Sequence, residues 1–151
     1  MLITAIGKQK LEEKIKQLHQ ELDRTSQDRG DAAREGDLKE NSAYIFLGER
    51  ADVLRTQIQE LTADLKESEI APKPSQTGTI CFGHQVTVKF EADDRQMIFT
   101  LVGKNDSPLR DDWLSVDSPI GIALLGRHQG DQVDVNGQLV TILNISIGNI
   151  N

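Results

Sequence analysis

The sequence predicts an α+β protein in which a long antiparallel α-helical coiled-coil hairpin precedes a small antiparallel β-sheet domain with one short helix. Apolar residues recur at alternating spacings of four and three from Leu11 to Leu22 and again from Leu47 to Leu65, which is the period of a helical seam. Two prolines and a glycine end this pattern, and apolar residues then alternate with polar ones, as in strands. We therefore predict a hairpin over 1–70, a linker over 71–78 and a second domain over 79–151.

The first helix of the hairpin is predicted from Thr4 to Arg34. Thr4 suits the N-cap position because its hydroxyl can accept a hydrogen bond from the first turn. The apolar seam of this helix begins with Leu11, Ile15, Leu18 and Leu22. Its continuation is small or polar, through Thr25, Asp28 or Arg29, and Ala32. The predicted hairpin is therefore well packed at its base and poorly packed at its far end.

The second helix carries an apolar stripe of the same period. Its members are Leu47, Ala51, Leu54, Ile58, Leu61 and Leu65. Two narrow stripes joined by a short break are typical of an antiparallel αα-hairpin. The break lies at Gly36, which we predict to close the first helix in the left-handed conformation.

The second half of the chain is predicted to be mostly strand. The alternating apolar residues are Val86, Val88 and Phe90, then Met97, Phe99 and Leu101, and a short strand is predicted over 113–116. Asn136-Gly137 suits a type I′ turn between strands at 133–135 and 139–147. A short helix through Leu125 is predicted to start with Ser118 as N-cap and Pro119 at its first position.

Composition limits the classes of partner. The formal net charge is −7, which opposes unassisted nucleic-acid binding, so no strong autonomous binding of this kind is expected. Cys81 is the only cysteine, which excludes an intrachain disulfide and a thiolate zinc cage, and we expect its side chain to be buried. The sequence lacks a secretory leader and any apolar run near the roughly 18 residues of a membrane span, so a soluble cytoplasmic protein without a membrane partner is expected.

Two carboxylates stand out in the connection between the predicted helices. Asp37 and Glu40 are three residues apart, so one helical turn would put both on one face. Five acids and three bases lie between Asp28 and Glu40, an excess that attracts a divalent cation. The same spacing also suits a capping box, in which Asp37 would cap the second helix and Glu40 would bond back to it. Because Mg²⁺ prefers six ligands, two carboxylates can hold it only together with a partner's ligands.

The run Gly36-Asp37-Leu38-Lys39-Glu40-Asn41, followed by Tyr44, resembles the tip signature of the bacterial Gre transcript-cleavage factors, GreA and GreB. Blocks of the second half are similar to the same family, in the same order. They are Phe82-Gly83, Val86-Thr87-Val88, Leu101-Val102-Gly103, Ser115-Val116-Asp117-Ser118-Pro119-Ile120, Ala123-Leu124-Leu125-Gly126 and Gly130-Asp131. The resemblance covers nearly the whole chain and identifies it as a member of this family.

The resemblance implies an accessory factor that is not itself an enzyme. Its FKBP-like C-terminal domain would dock on RNA polymerase, and its coiled coil would enter the secondary channel. There it would stimulate the polymerase's own endonucleolytic cleavage of the backtracked RNA 3′ end, which the factor meets only indirectly. Asp37 and Glu40 would be the catalytic pair, helping to hold a second Mg²⁺ shared with the polymerase and to activate water. No cofactor would be tightly bound by the isolated protein.

The resemblance also assigns supporting residues. Those that shape the tip would be Gly36, Asn41, Ser42 and Tyr44, with contact to RNA or polymerase and simple packing both open for Tyr44. Those expected to touch polymerase are Asp117, Ser118 and Pro119, for which plain helix capping is the alternative.

This sequence departs from the family pattern just after the tip. Ala43 stands where an acid is common, and Ile45, Phe46 and Leu47 stand where small or polar residues are common. We predict that Ile45 and Phe46 pack into the hairpin, with contact to a channel wall as the alternative. The departure keeps open a second function, a Gre-like channel-binding inhibitor without cleavage activity.

An FKBP-like prolyl isomerase or chaperone is a further alternative. It would need an apolar pocket lined by aromatic residues. The aromatic residues of the second half are Phe82, Phe90, Phe99 and Trp113, and most of them are predicted in the core. No metal or catalytic role is expected for His19, His84 or His128, and Asp106, Asp111 and Asp112 are expected to form a solvated loop.

Overall fold

A computed structural model describes residues 1–36 and 41–151 and confirms the predicted fold class. The helices are α1 (Ala5–Arg34), α2 (Ser42–Glu67) and α3 (Pro119–Leu124), with a 3₁₀ helix at Ser107–Leu109. The strands are β1 (Leu2–Ile3), β2 (Glu69–Ile70), β3 (His84–Phe90), β4 (Arg95–Val102), β5 (Trp113–Ser115), β6 (Gln132–Val135) and β7 (Gln138–Ile147). Helix α1 begins directly after Thr4 and ends at Arg34, as predicted, and α2 contains the whole predicted stripe from Leu47 to Leu65.

Backbone contacts divide the chain into two compact units, which do not follow sequence order alone. One unit is Gln9–Glu67, and the other joins Met1–Lys8 to Ser68–Asn151. The first residues belong to the C-terminal unit because β1 pairs in parallel with β2, with Leu2 opposite Glu69. The predicted boundaries at residues 70 and 78 stay a prediction.

The unit Gln9–Glu67 is a helical hairpin with the predicted apolar seam. Its core consists of Leu18, Leu54 and Ile58, against which Leu22 and Leu61 pack. The continuation predicted to be small or polar is also inside, since Thr25 and Ala32 are buried. The two helices are antiparallel: Arg50 pairs with Glu21 at 2.5 Å, whereas the earlier Tyr44 meets the later Arg29.

The second unit is built on a five-stranded sheet of order β5-β4-β3-β7-β6 within the described residues. Strands β4, β3, β7 and β6 pair antiparallel, as predicted, with a register shift between Thr87 and Val88. Strand β5 instead pairs parallel to β4 at the edge. The difference arises because the chain crosses over through the 3₁₀ helix instead of turning directly back, which leaves the next strand running the same way.

The sheet packs one face against α3. Its main core contains Val86, Val88, Leu101, Leu124, Val140 and Ile142, among other buried residues. The predicted hairpin turn between β6 and β7 is confirmed, since Asn136 and Gly137 have φ angles of 52° and 83°. A smaller core joins Phe82, Trp113, Val102, Ala71 and Ile150. Most of the aromatic residues of the second half were predicted in the core, and all four are at most 8 % exposed.

Asp106 corrects one expectation, because it is fully buried and not part of a solvated loop. Its carboxylate accepts hydrogen bonds from the backbone N–H and hydroxyl of Thr4 and from the N–H of Gly103. The Thr4 hydroxyl in turn accepts from the N–H of Gly7, which confirms Thr4 as the cap of α1. Asp106 escapes detection from sequence since its partner at Thr4 lies 102 residues away.

Candidate functional site

The predicted catalytic pair lies in the connection between α1 and α2. The connection runs from Glu35 to Asn41, and Asp37 and Glu40 lie outside the described residues together with Leu38 and Lys39. The residues on either side of this gap are described, and they show how α1 ends and how α2 begins. The predicted role of the two carboxylates therefore stays a prediction at this stage.

Asn41 is the residue that begins α2. Its side-chain Oδ1 accepts a hydrogen bond of 3.1 Å from the backbone N–H of Tyr44, three residues later, which is N-cap geometry. Its Nδ2 donates a bond of 2.6 Å to the carbonyl oxygen of Ala32 at the end of α1. Asn41 thus caps α2, which is the role that the capping-box alternative gave to Asp37. It also ties the end of one helix to the start of the next, and its predicted role in shaping the tip stays a prediction.

Gly36 does not close α1 in the way predicted. Its φ angle is outside the left-handed region, and a Cβ at this position would meet no neighbouring atom. Helix α1 ends instead at Arg34, where the N–H of Glu35 bonds back to the carbonyl of Ala32 in a tighter turn. The same carbonyl receives the Asn41 amide, so the helix end is satisfied without a glycine cap.

Tyr44 is half-buried and packs within the hairpin. The guanidinium carbon of Arg29 lies 4.1 Å from the centroid of its ring, a cation–π arrangement between α1 and α2. One turn further along α2, Gly48 is buried beneath the same guanidinium. The sequence placed Arg29 near the seam but gave no signal for its stacking on Tyr44.

Ile45 and Phe46 are exposed, at 47 % and 65 %, so the prediction that they pack into the hairpin is wrong. The physical reason is the helical phase set by the cap. With Tyr44 and Gly48 facing α1, the positions between them point outward, and only Leu47 is half-buried. Ser42 also faces solvent. The start of α2 therefore carries an exposed apolar pair.

The second predicted contact surface lies at the start of α3. The Ser118 hydroxyl accepts a hydrogen bond from the N–H of Gly121 and donates one of 2.6 Å to the carbonyl of Ser115, and Pro119 opens the helix, so Ser118 is its N-cap as predicted. Asp117 and Pro119 are exposed. Beside them, Ser118 and Pro119 border a surface cavity of about 620 Å³ whose lining includes Met97, Leu114 and Ile120.

His84 is a buried structural residue of the C-terminal unit. Its Nδ1 accepts a bond of 3.0 Å from the N–H of Cys81, and its Nε2 lies 2.6 Å from the carbonyl of Gln76, to which it donates. The ring is thus held as the neutral Nε2–H tautomer. His19 and His128 are exposed.

The side chain of Cys81 is exposed, which corrects the expectation that it is buried. Its neighbours Ile80 and Phe82 are buried in two different cores, and Cys81 between them belongs to neither. Partial burial still raises the pKa of the Cys81 thiol above its usual value, so the thiol is protonated at neutral pH.

Among residues 1–36 and 41–151, no group of three or more His, Cys, Asp or Glu side chains is arranged to hold a metal ion. In that same part of the chain, no helix is both long and apolar enough to cross a membrane.

Both halves of the chain match family models. The model described as the N-terminal domain of transcription elongation factors matches residues 1–70, and the model of the C-terminal domain of GreA/GreB elongation factors matches residues 75–147. Together they cover the hairpin, its connection and the whole sheet. The boundary between them falls near β2 and the prolines that follow it.

Individual relatives agree with this assignment. Transcription elongation factor GreA of Beijerinckia indica is 32 % identical over 150 residues, covering 95 % of this chain and 96 % of its own. GreA of Alkalilimnicola ehrlichii is 31 % identical over 136 residues, covering 88 % and 86 %. A crystal structure of GreA factor homolog 1 from Thermus thermophilus covers 97 % of this chain and 98 % of its own at 18 % identity, with a TM-score of 0.46 that adds nothing to the assignment. On the family models and the sequence relatives, the chain belongs to the GreA/GreB family of transcription elongation factors.

Proposed function

We propose that this protein binds RNA polymerase through the secondary channel and stimulates cleavage of the RNA 3′ end in backtracked complexes. The polymerase performs the hydrolysis, and the factor supplies Asp37 and Glu40 to its active centre. The family assignment of both halves is the observation that carries this proposal. Retention of the Asp-x-x-Glu spacing in the connection of a two-helix hairpin supports it.

The donor set of the tip suits a shared Mg²⁺ ion. Carboxylate oxygens are the ligands that Mg²⁺ prefers, but two of them leave most of its six positions to water or to another molecule. Asp37 and Glu40 would hold the ion together with carboxylates or phosphates supplied by the polymerase complex. When bound, the ion would stabilise the attacking and leaving oxygens of the phosphodiester. The second role of the two side chains is to accept hydrogen bonds from the attacking water and orient it.

The described residues on either side of the tip are bonded to one another. Asn41 bonds to Ala32 on α1 and to Tyr44 on α2, so the connection that contains both carboxylates begins and ends at bonded positions. A catalytic group must be placed accurately, since misplacement by about 1 Å can cost on the order of 100-fold in rate. A bridged connection is therefore what this function needs.

The C-terminal unit would provide the docking surface. Asp117 and Pro119 are exposed at the start of α3, next to Ile122, which is also exposed. In protein interfaces, apolar side chains are typical of the buried centre and charged side chains of the rim, so this combination suits a docking surface. Ser118 holds this segment in place as the cap of α3. Docking here would hold this acidic protein on RNA polymerase without any direct attraction between the protein and the nucleic acid.

The test uses a bacterial RNA polymerase stalled in a backtracked complex with 3′-end-labelled RNA and Mg²⁺. Wild-type protein is expected to release short 3′ fragments. The double variant Asp37→Asn/Glu40→Gln keeps the size of both side chains but removes their charges, so it is expected to bind the polymerase and release none. Equal release by the two proteins would contradict the carboxylate mechanism.

A second candidate function is inhibition by channel occupancy without cleavage. The exposure of Ile45 and Phe46 favours it, because an apolar pair beside the tip could bind a channel wall and block the path of substrates. Under this function, wild type and the double variant would both slow elongation, and neither would release fragments. Phe46→Ser would then relieve the inhibition, whereas under the cleavage function it would leave fragment release in place.

A further inference from the structure

Arg29 is half-buried near the tip, where its guanidinium lies against Tyr44 of the other helix. Three of the four exposed arginines of the hairpin are paired with carboxylates: Arg34 with Asp31, Arg50 with Glu21, and Arg55 with Asp52. No carboxylate pairs with Arg29 in the described parts of the chain, and its Nε is buried without a hydrogen-bond partner. A buried donor left unpaired is costly, so other contacts must hold this side chain where it is.

Two residues of α2 provide those contacts. The ring of Tyr44 faces the guanidinium carbon at 4.1 Å. Gly48 lies one turn later on the same helix face, and a Cβ there would stand 2.8 Å from Nη2 and 2.9 Å from Cζ of Arg29. Glycine in a helix interior is unfavourable, so its presence at this position is explained by the space that the guanidinium needs.

Tyr44 is held at two points. Its ring lies under Arg29 from α1, and its backbone N–H donates to Asn41 Oδ1. Asn41 is itself anchored to the Ala32 carbonyl of α1. The first turn of α2 is therefore attached to α1 by a stack on one side and by a side-chain bridge on the other. Asn41 directly follows Glu40 in the sequence.

We propose that Arg29 is a positioning residue for the tip carboxylates, acting through Tyr44 and Asn41. Its stacking on Tyr44, in the space left by Gly48, sets the position of the first turn of α2 and hence of the chain that leads back to Glu40. Arg29 touches none of the reacting groups. This inference rests on the proposed cleavage function and deepens it by naming what holds the two carboxylates in register with α1.

The activity test compares Arg29→Gln with Arg24→Gln, a matched change at an exposed arginine of the same helix. Cleavage is measured over a range of factor concentrations, which separates the maximal rate from the half-saturating concentration. Arg29→Gln is expected to lower the maximal rate by roughly tenfold or more, as for a misplaced catalytic group, at an unchanged half-saturating concentration. Arg24→Gln is expected to match wild type.

Two further variants separate positioning from folding. Gly48→Ala favours the helix but displaces the guanidinium, so it is expected to lower the maximal rate as Arg29→Gln does while melting no earlier than wild type. Tyr44→Phe keeps the ring face and is expected to retain more of the rate than Tyr44→Leu. A maximal rate equal to that of wild type in both Arg29→Gln and Gly48→Ala would overturn the proposal. A raised half-saturating concentration with an unchanged maximal rate would overturn it too, since Arg29 would then act in binding.

Hydrogen exchange of the isolated protein gives a readout that does not depend on cleavage. The amides of Tyr44 and Ile45 bond to Asn41 and are expected to exchange faster in Arg29→Gln and Gly48→Ala than in wild type. If the wild-type protein releases no RNA fragments, the proposed function fails, and these amides alone decide whether Arg29 holds the start of α2. Unchanged exchange in both variants would refute the positioning role.

Discussion

The two ends of the helical hairpin are held together by different forces. At the base, Leu18, Leu54 and Ile58 exclude water from an apolar seam. Towards the connection, the helices meet through the Arg29–Tyr44 stack and the hydrogen bonds of Asn41. Apolar burial supplies stability but is non-directional, whereas hydrogen bonds and ring stacking require defined geometry. The comparison indicates that the base keeps the hairpin folded and that the far end keeps it in register.

The largest expected effect tests the base. Leu54 is fully buried, so Leu54→Ala removes packed methyl groups and leaves a cavity, which is expected to cost about 2–5 kcal/mol of the free energy of unfolding. Val53→Ala is the matched control, because Val53 is adjacent to Leu54 in the sequence but is 47 % exposed. Chemical denaturation measures both variants. If the two lose similar free energy, the seam does not carry the stability of the hairpin.

A smaller effect is expected at the far end. Asn41→Ala removes the N-cap of α2 and should cost about 1 kcal/mol. Asn41→Asp keeps the oxygen that accepts from Tyr44 N–H but removes the donor to Ala32, so it is expected to preserve most of the stability. Thermal unfolding of the two variants separates capping from bridging. A loss at Asn41→Asp as large as at Asn41→Ala would assign the stability to the bridge.

The smallest effect is expected from the ion pair between the two helices. Glu21 and Arg50 are each more than 40 % exposed, so their pairing is expected to add less than about 1 kcal/mol and to weaken with salt. A double-mutant cycle with Glu21→Ala and Arg50→Ala measures the coupling at low and high salt. A coupling energy as large as the free energy of unfolding lost in Leu54→Ala would contradict this view of the hairpin, since one polar contact would then stabilise it as strongly as the apolar seam does.

Periodicity made the fold predictable from the sequence. Leucine and isoleucine spacing located both long helices, and the Asn136-Gly137 turn located the last hairpin of the sheet. The cap residues Thr4 and Ser118 were also recognisable, because each acts on a backbone N–H three residues later in its own helix. These signals are local, so the sequence displays them directly.

Long-range contacts carried no such signal. Asp106 looked like a loop acid, yet its carboxylate is buried against Thr4, and the edge strand β5 runs parallel where an antiparallel neighbour was predicted. The outward turn of Phe46 follows from the cap at Asn41, whose position within the tip run was not predicted as the start of α2. The family-derived roles of Asp37 and Glu40 stay a prediction, because both lie outside the described residues.

The pairing of Thr4 with Asp106 has a consequence for the order in which the chain folds. At a synthesis rate of about 5–20 residues per second, Asp106 is made roughly 5–20 seconds after Thr4, so their contact cannot form earlier. The contacts of the helical hairpin are closer in sequence and need no such delay. We therefore expect α1 and α2 to pack before Thr4 binds Asp106. The segment around Thr4 is made before both helices and would be among the last parts of the chain to reach its native place.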